Sequence, residues 1–183
     1  MNEEITLSSR RIYEGKVVNL RVDTVELEPG VESTREIVEH SESVAIVPVD
    51  GRNKVLLVRQ YRKAVGKTLL EIPAGGVKPG ESPEHCVFRE LREETGYTAG
   101  KIQHIGGIYA SPGYCTEFLH LYLATQLTRA PLPMDPDERI EVVRVPLKRI
   151  PDLIAAGEIQ DSKSLAGLLS VICVPLTGTR ERG

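Results

Sequence analysis

A chain of 183 residues, 40% of them hydrophobic, can bury a core of ordinary size as one domain or as one domain with a small accessory element. Its net charge of −3 excludes a general basic field for nucleic acid or membrane, so an anionic substrate needs local positive charge from arginines or a metal ion. Cys86, Cys115 and Cys173 form no C-x-x-C pair, which argues for reduced thiols rather than a disulfide framework or a zinc site.

The start, MNEEITLSSRR, has no apolar core of signal-peptide type, and no run approaches the length of a membrane span. A soluble cytoplasmic protein is expected. KVVNLRVDTVEL alternates, with Val18, Leu20 and Val22 on one face and Asn19, Arg21 and Asp23 on the other. EPG at 28–30 marks a turn, and STREIVEH returns as a partner strand. Residues 1–42 thus form a small antiparallel β element, which must pack on something: the main domain or a second copy of the chain.

The texture changes at Ser43, where a domain spanning 43–183 is expected to begin. VAIVPV and KVLLVRQY read as strands separated by DGRN, a hairpin-like turn, and TLLEIPAGG reads as a strand ending in small residues. SPEHCVFRELREETG is a helix, with Ser82 as its cap, Pro83 in its first turn and Gly96 as its stop. Strands at IGGIYA and FLHLYLAT follow, then a loop rich in proline and acid, RAPLPMDPDE, and a strand at IEVVRVP. Helices over about 147–156 and 162–173 close the pattern, and the tail GTRERG is expected to fray. The class is α+β, a mixed sheet covered by helices.

Three glutamates in FRELREETGY need a reason. With Glu90 at zero on a helical wheel, Glu94 falls at about 40° and Glu93 at about −60°, while Val87 and Leu91 occupy an adjacent sector. Like charges at these spacings cost roughly 0.2–0.5 kcal/mol per pair on an exposed helix, and more where the dielectric falls. A solvated acidic face relieved by Arg89 and Arg92 is one reading. The small-residue loop AGGVKPGE directly before the helix, with Glu81 at its entrance, suggests another: carboxylates converging on a hard divalent cation.

Gly75, five residues, Glu81, seven residues, then Arg89-Glu90-Leu91-Arg92-Glu93-Glu94-Thr95-Gly96-Tyr97 resembles the Nudix box at every fixed position. That resemblance implies an α/β/α sandwich, preceded here by the N-terminal antiparallel element, and hydrolysis of a nucleoside diphosphate linked to another group with Mg²⁺ or Mn²⁺. It implies Glu90, Glu94 and the Ala74 carbonyl as metal ligands, with Glu93 a further ligand or a contact to metal-bound water. Arg89 would orient the carboxylates and Glu81 would support them. Gly75 and Gly76 would let the loop turn and the backbone reach a metal.

The flanks resemble the ADP-ribose pyrophosphatase subgroup: Pro112, sixteen residues after Gly96 in YASPGYCTE, together with VRQYRKAVGKTLLEIPAGGVKPGE and REIVEH. Carried over, Arg62 reaches the diphosphate, Arg35 and Glu36 meet the adenosine end, and Pro112 and Gly113 border the substrate. With no tryptophan to stack on adenine, the Arg35 guanidinium plane takes that place. Glu138, in the acidic loop before the I-E-V strand, leads as general base, with Glu141, Asp137 and Glu117 as runners-up. The expected reaction is Mg²⁺-dependent cleavage of ADP-ribose to AMP and ribose 5-phosphate by a homodimer joined through its N-terminal strands. Alternatives are another nucleoside diphosphate sugar, such as GDP-mannose, and a non-catalytic nucleotide sensor.

Overall fold

The structure is a computed structural model and describes residues 3–134 and 138–173. Asp135, Asp137 and the tail GTRERG lie outside the described residues. Contacts divide the chain into two units, Met1–Glu42 with Tyr109–Phe118, and Ser43–Ile108 with Leu119–Gly183.

The first unit is an antiparallel sheet of β1 (Ile5–Glu14), β2 (Asn19–Glu28) and β3 (Val31–Glu39), in that order. The alternation around Val22 places β2 correctly, and Gly30, with φ 80°, closes the turn to β3. β1 falls within the β element expected over 1–42, although ITLSSRRIYE has no clean alternation and all ten of its residues are exposed. The 110–117 segment joins β3 through a parallel bridge between Val38 and Cys115, with Val38 N donating to Tyr114 O at 2.7 Å.

The second unit contains β4 (Ser43–Pro48), β5 (Lys54–Arg62), β6 (Lys67–Glu71), β7 (Ala74–Gly76), α1 (Pro83–Thr95), β8 (Tyr97–Tyr109), β9 (Phe118–Arg129), β10 (Ile140–Pro146), α2 (Ile150–Ala155) and α3 (Ser162–Cys173). Its strands form two sheets, a mixed one ordered β7-β4-β9-β8 and an antiparallel one ordered β10-β5-β6. DGRN is the expected hairpin-like turn, closed by the antiparallel Val49–Val55 bridge and by Asp50 N on Lys54 O at 2.9 Å, but beyond it β4 and β5 part into different sheets. Asp50 Oδ1 shapes the turn, accepting from Arg52 N at 2.8 Å and Lys54 N at 3.0 Å. One local expectation changes. TLLEIPAGG is two strands in two sheets. Pro73 has no N–H for a ladder, and the Ile72 N–H goes to Ser164 Oγ at 2.8 Å.

β4 explains the layering. All six of its residues are buried, because both faces are covered. Val44 and Ile46 meet Cys86, Val87 and Leu91 of α1. Val47, on the opposite face, lies against Gly167 of α3. Each fully buried aliphatic side chain contributes roughly 1.5–3 kcal/mol relative to an exposed one. Gly167 has no room to grow: a Cβ would sit 2.9 Å from Ile72 Cδ1 and 3.1 Å from Val47 Cγ2. Gly167→Val is therefore expected to destabilise by about 1–3 kcal/mol despite the gain in helix propensity. Denaturant unfolding measures it, and an unchanged midpoint would contradict this packing. No described helix is long and apolar enough to cross a membrane.

Candidate active site: a carboxylate helix against a glycine loop

α1 begins and ends where its sequence says. Ser82 Oγ accepts from His85 N at 3.3 Å, Pro83 occupies the first turn, and Gly96 adopts the left-handed conformation (φ 76°) with its N–H on Arg92 O at 3.1 Å. These boundaries fix the rotation of the helix. Val87 and Leu91 enter the core, and Glu90 and Glu94 are carried to the margin of the short strand β7.

Both glutamates are buried, Glu90 to 8% exposure and Glu94 to 4%. Glu94 Oε2 accepts from the Ala74 backbone amide at 3.1 Å. The Glu90 carboxylate fills the space where a Cβ of residue 75 would stand, inside 3.0 Å of all three of its terminal atoms. Gly75 is thus glycine because the carboxylate needs that volume. Burial pushes the Glu94 carboxyl well above its ordinary value, and the like charges of Glu90 and Glu138 push it the same way. Burial also raises Glu90; Arg89 opposes the rise, while Glu93 and Glu138 add to it.

Arg89 organises the rest. Its Nε donates to Glu81 Oε1 at 2.9 Å and its Nη2 to Glu81 Oε2 at 2.8 Å, a two-pronged pair. Nη1 donates to Glu93 Oε2 at 3.0 Å and to Glu90 Oε1, and Nη2 also reaches Gly76 O at 3.0 Å. The Arg89 guanidinium holds the Glu81 carboxyl down at about 2. Burial pushes the Cys86 thiol up to about 12, and its Sγ lies 3.4 Å from Gly76 O, so this cysteine is a packing residue.

Arg62 of β5 is paired with the buried Glu71, and its charge is felt at Glu94. Glu138 is half-buried, acts electrostatically on both Glu90 and Glu94, and lines a cleft of about 460 Å³ with Arg59, Tyr61 and Met134. Glu141 lines the same cleft, more exposed and 3.6 Å from Arg59 across the β5–β10 ladder. Arg35, Glu36, Pro112, Gly113 and Glu117 fall in the first unit. There Arg35 Nε donates to Glu4 Oε2 at 3.0 Å, and Glu36 follows it on β3, so the two side chains leave opposite faces of the sheet. Pro112 and Gly113 sit in an exposed turn closed by Tyr114 N on Ser111 O at 3.1 Å, and Glu117 lies 3.7 Å from His40 Nδ1.

The donor set fits a hard divalent cation. Glu90 Oε2 and Glu94 Oε1 have no hydrogen-bond donor among the described residues, and neither oxygen is sealed from solvent. Two raised, like-charged carboxylates are the groups a doubly charged ion would relieve. Among the described residues no three His, Cys, Asp or Glu side chains converge as a ready-made cage, because Arg89 draws Glu81 and Glu93 to itself.

The NUDIX domain family matches residues 39–168, and the nucleoside diphosphate sugar hydrolase N-terminal domain matches residues 4–38. The chain belongs to the Nudix family. It is 42% identical to an ADP-ribose pyrophosphatase of Bacillus subtilis (strain 168), with 88% of this chain and 89% of that one covered. A methanol dehydrogenase activator of Bacillus methanolicus is 39% identical, with 89% of each covered. A GDP-mannose pyrophosphatase of Salmonella paratyphi B is 32% identical, with 90% of this chain and 93% of that one covered. The crystal structure of an ADP compounds hydrolase superposes with a TM-score of 0.86 over 94% of each chain at 23% identity, which shows that the two share a fold.

The glycine loop and the carboxylate helix were legible as a motif. Glu71, Lys163 and Ser164 were not singled out. The one signal was a charged residue inside the apolar run L-L-E-I.

Proposed function

We propose that this Nudix protein is a Mg²⁺-dependent ADP-ribose pyrophosphatase, cleaving the diphosphate bridge to AMP and ribose 5-phosphate, with Mn²⁺ as a possible substitute. The observation that carries this reading is the pair of buried carboxylates, Glu90 against Gly75 and Glu94 on the Ala74 amide, beside a cation, Arg62, and a further acid, Glu138. The ADP-ribose pyrophosphatase relative at 42% identity supports the substrate.

Glu90, Glu94 and the Ala74 carbonyl would hold the ion, with Glu93 as a further ligand or a contact to its water. Bound there, a divalent cation neutralises diphosphate charge and lowers the pKa of water. Arg89 keeps Glu90 and Glu93 in register through charge-assisted bonds anchored on Glu81. Arg62 binds a diphosphate oxygen. Glu138 takes the proton of the attacking water, a role supported by the effect of its charge on Glu90 and Glu94. The same reading gives Arg35 and Glu36 the adenosine end, and Pro112 and Gly113 the substrate-facing turn.

The protein is proposed to work as a cytoplasmic homodimer. β1 is an edge strand that exposes Ile5, Leu7 and Ile12, surface that a second copy would cover. Sedimentation giving a monomer at full activity would defeat this.

Incubation with ADP-ribose and Mg²⁺, followed by identification of products, tests the function, and ¹⁸O water locates the phosphorus attacked. Absence of AMP and ribose 5-phosphate would reject it. The second reading, hydrolysis of GDP-mannose, rests on the 32% identical relative and is separated by assaying both substrates together. Glu138→Gln is expected to lower kcat by about 10²–10⁴-fold with little change in KM. Steady-state kinetics decide, and an unchanged kcat would move the general base elsewhere.

A further inference from the structure

Glu71 lies three residues before Ala74 and is only 1% exposed. A carboxylate this deep is strongly destabilising unless paired and hydrogen-bonded. Two cations from different elements meet it. Arg62 of β5 brings Nε to 3.2 Å from each oxygen and Nη2 to 2.6 Å from Oε2. Lys163, in the first turn of α3, brings Nζ to 2.9 Å from the same Oε2. Burial pushes the Glu71 carboxyl up, but the two cations outweigh it and hold it below the ordinary carboxylate range.

Lys163 is itself held. Its Nζ donates to Asp161 Oδ1 at 2.8 Å, and that oxygen also accepts from Ser164 N at 3.0 Å. Ser164 Oγ takes the Ile72 N–H at 2.8 Å. The first turn of α3 therefore fixes both the backbone after Glu71 and the carboxylate itself.

The consequence falls on Arg62. One edge of its guanidinium, Nε and Nη2, is committed to Glu71, and the side chain is 38% exposed. Nη1 has no partner among the described residues. That leaves one edge for an anionic oxygen, with its direction set by where Glu71 stands. An arginine on a strand end has several rotamers, and a carboxylate shared with a second cation selects one of them.

We infer that Lys163 is a positioning residue for substrate binding: through Glu71 it sets the Arg62 edge that meets the diphosphate. The inference rests on the diphosphatase reading above. Lys163 touches no substrate atom in this scheme; it acts at one remove, from a helix that contributes nothing to the Nudix box.

Kinetics with Mg²⁺ and ADP-ribose test it. Lys163→Met is expected to raise KM by about tenfold with kcat within about threefold, and Lys163→Arg to restore most of the loss. Mn²⁺ affinity, titrated without substrate, is expected to stay unchanged. The decisive measurement is a double-mutant cycle: in an Arg62→Met background, Lys163→Met should add no further rise in KM. Should Lys163→Met fold poorly, the double variant Glu71→Gln/Lys163→Met removes both buried charges together and must show the same KM loss. An unchanged KM, an additive cycle, or a fall in kcat together with Mn²⁺ affinity would overturn the inference and leave Lys163 a structural residue. A wild-type protein that turns over neither ADP-ribose nor GDP-mannose overturns the underlying reading and takes this inference with it; that result is read before any variant is made.

Discussion

Gly75→Ala should leave the protein folded and nearly inactive. The new methyl group would occupy the volume of the Glu90 carboxylate. What must move is the far end of a flexible side chain, so the backbone need not shift. Gly75 does not require a positive φ, and replacing glycine at a compatible position restricts the unfolded chain, a gain of about 0.4–1 kcal/mol. The melting temperature is therefore expected to change by no more than a few degrees, at about 2–4 °C per kcal/mol for a chain of this size. Activity is another matter. Displacing one of the two carboxylates that would hold the metal removes several kcal/mol of transition-state stabilisation, so kcat/KM should fall by about 10²–10³-fold. Gly51→Ala is the control, since nothing lies within 4 Å of its added methyl. Full activity in Gly75→Ala would mean that Glu90 need not sit against the loop, and the ligand assignment would fail with it.

That separation of folding from activity follows from how the site is built, and it also explains what the sequence could reveal. Local chemistry was legible. Ser82, Pro83 and Gly96 set the ends of α1 through bonds that depend on neighbours only a few residues away. The spacing of Glu90, Glu93 and Glu94 fixed their shared sector before any coordinates, because helical rotation is a property of the backbone alone. Long-range pairing was not legible. Nothing in TLLEIPAGG announces that Ile72 will give its N–H to Ser164, 92 residues away, and so divide one apparent strand between two sheets. DGRN carries the same turn residues whether its strands pair with each other or with different partners. β1 lacks alternation because neither of its faces is buried in this chain. The distinction between Glu138 and Glu141 likewise needed the ladder: both line one cleft, but β10 pairs Glu141 with Arg59, while the charge of Glu138, just before the strand, is felt at Glu90 and Glu94.

The largest effect of opposite signs is expected at Glu94. Glu94→Gln keeps the shape of the side chain and an oxygen to accept the Ala74 N–H, but removes the charge. In the metal-free protein that charge is a liability: it is buried, and Glu90 and Glu138 repel it. Its folded-state pKa lies well above the ordinary 4.5. The native state thus carries a penalty that is fully developed above the folded pKa, shrinks as pH falls through it, and vanishes below the unfolded value. Metal-free wild type should accordingly gain stability as pH falls toward the ordinary carboxylate value of 4.5, a window above the titration of Glu81, which Arg89 holds at about 2. Metal-free Glu94→Gln should melt higher than wild type at pH 8 and lose most of that pH dependence, while kcat/KM falls by about 10³-fold. Added Mg²⁺ should raise the melting temperature of wild type and do little for the variant, since ligand binding stabilises only the state that binds it. Thermal melts at two pH values, with and without Mg²⁺, give all three comparisons. A variant that melts lower than wild type without metal would show that Glu94 is held by more than the Ala74 amide, and a variant that keeps its activity would remove Glu94 from the metal site. Glutamine is expected to be the more stable choice at position 94 without metal, because the charge that burial disfavours in the metal-free fold is the one a diphosphate-cleaving site requires.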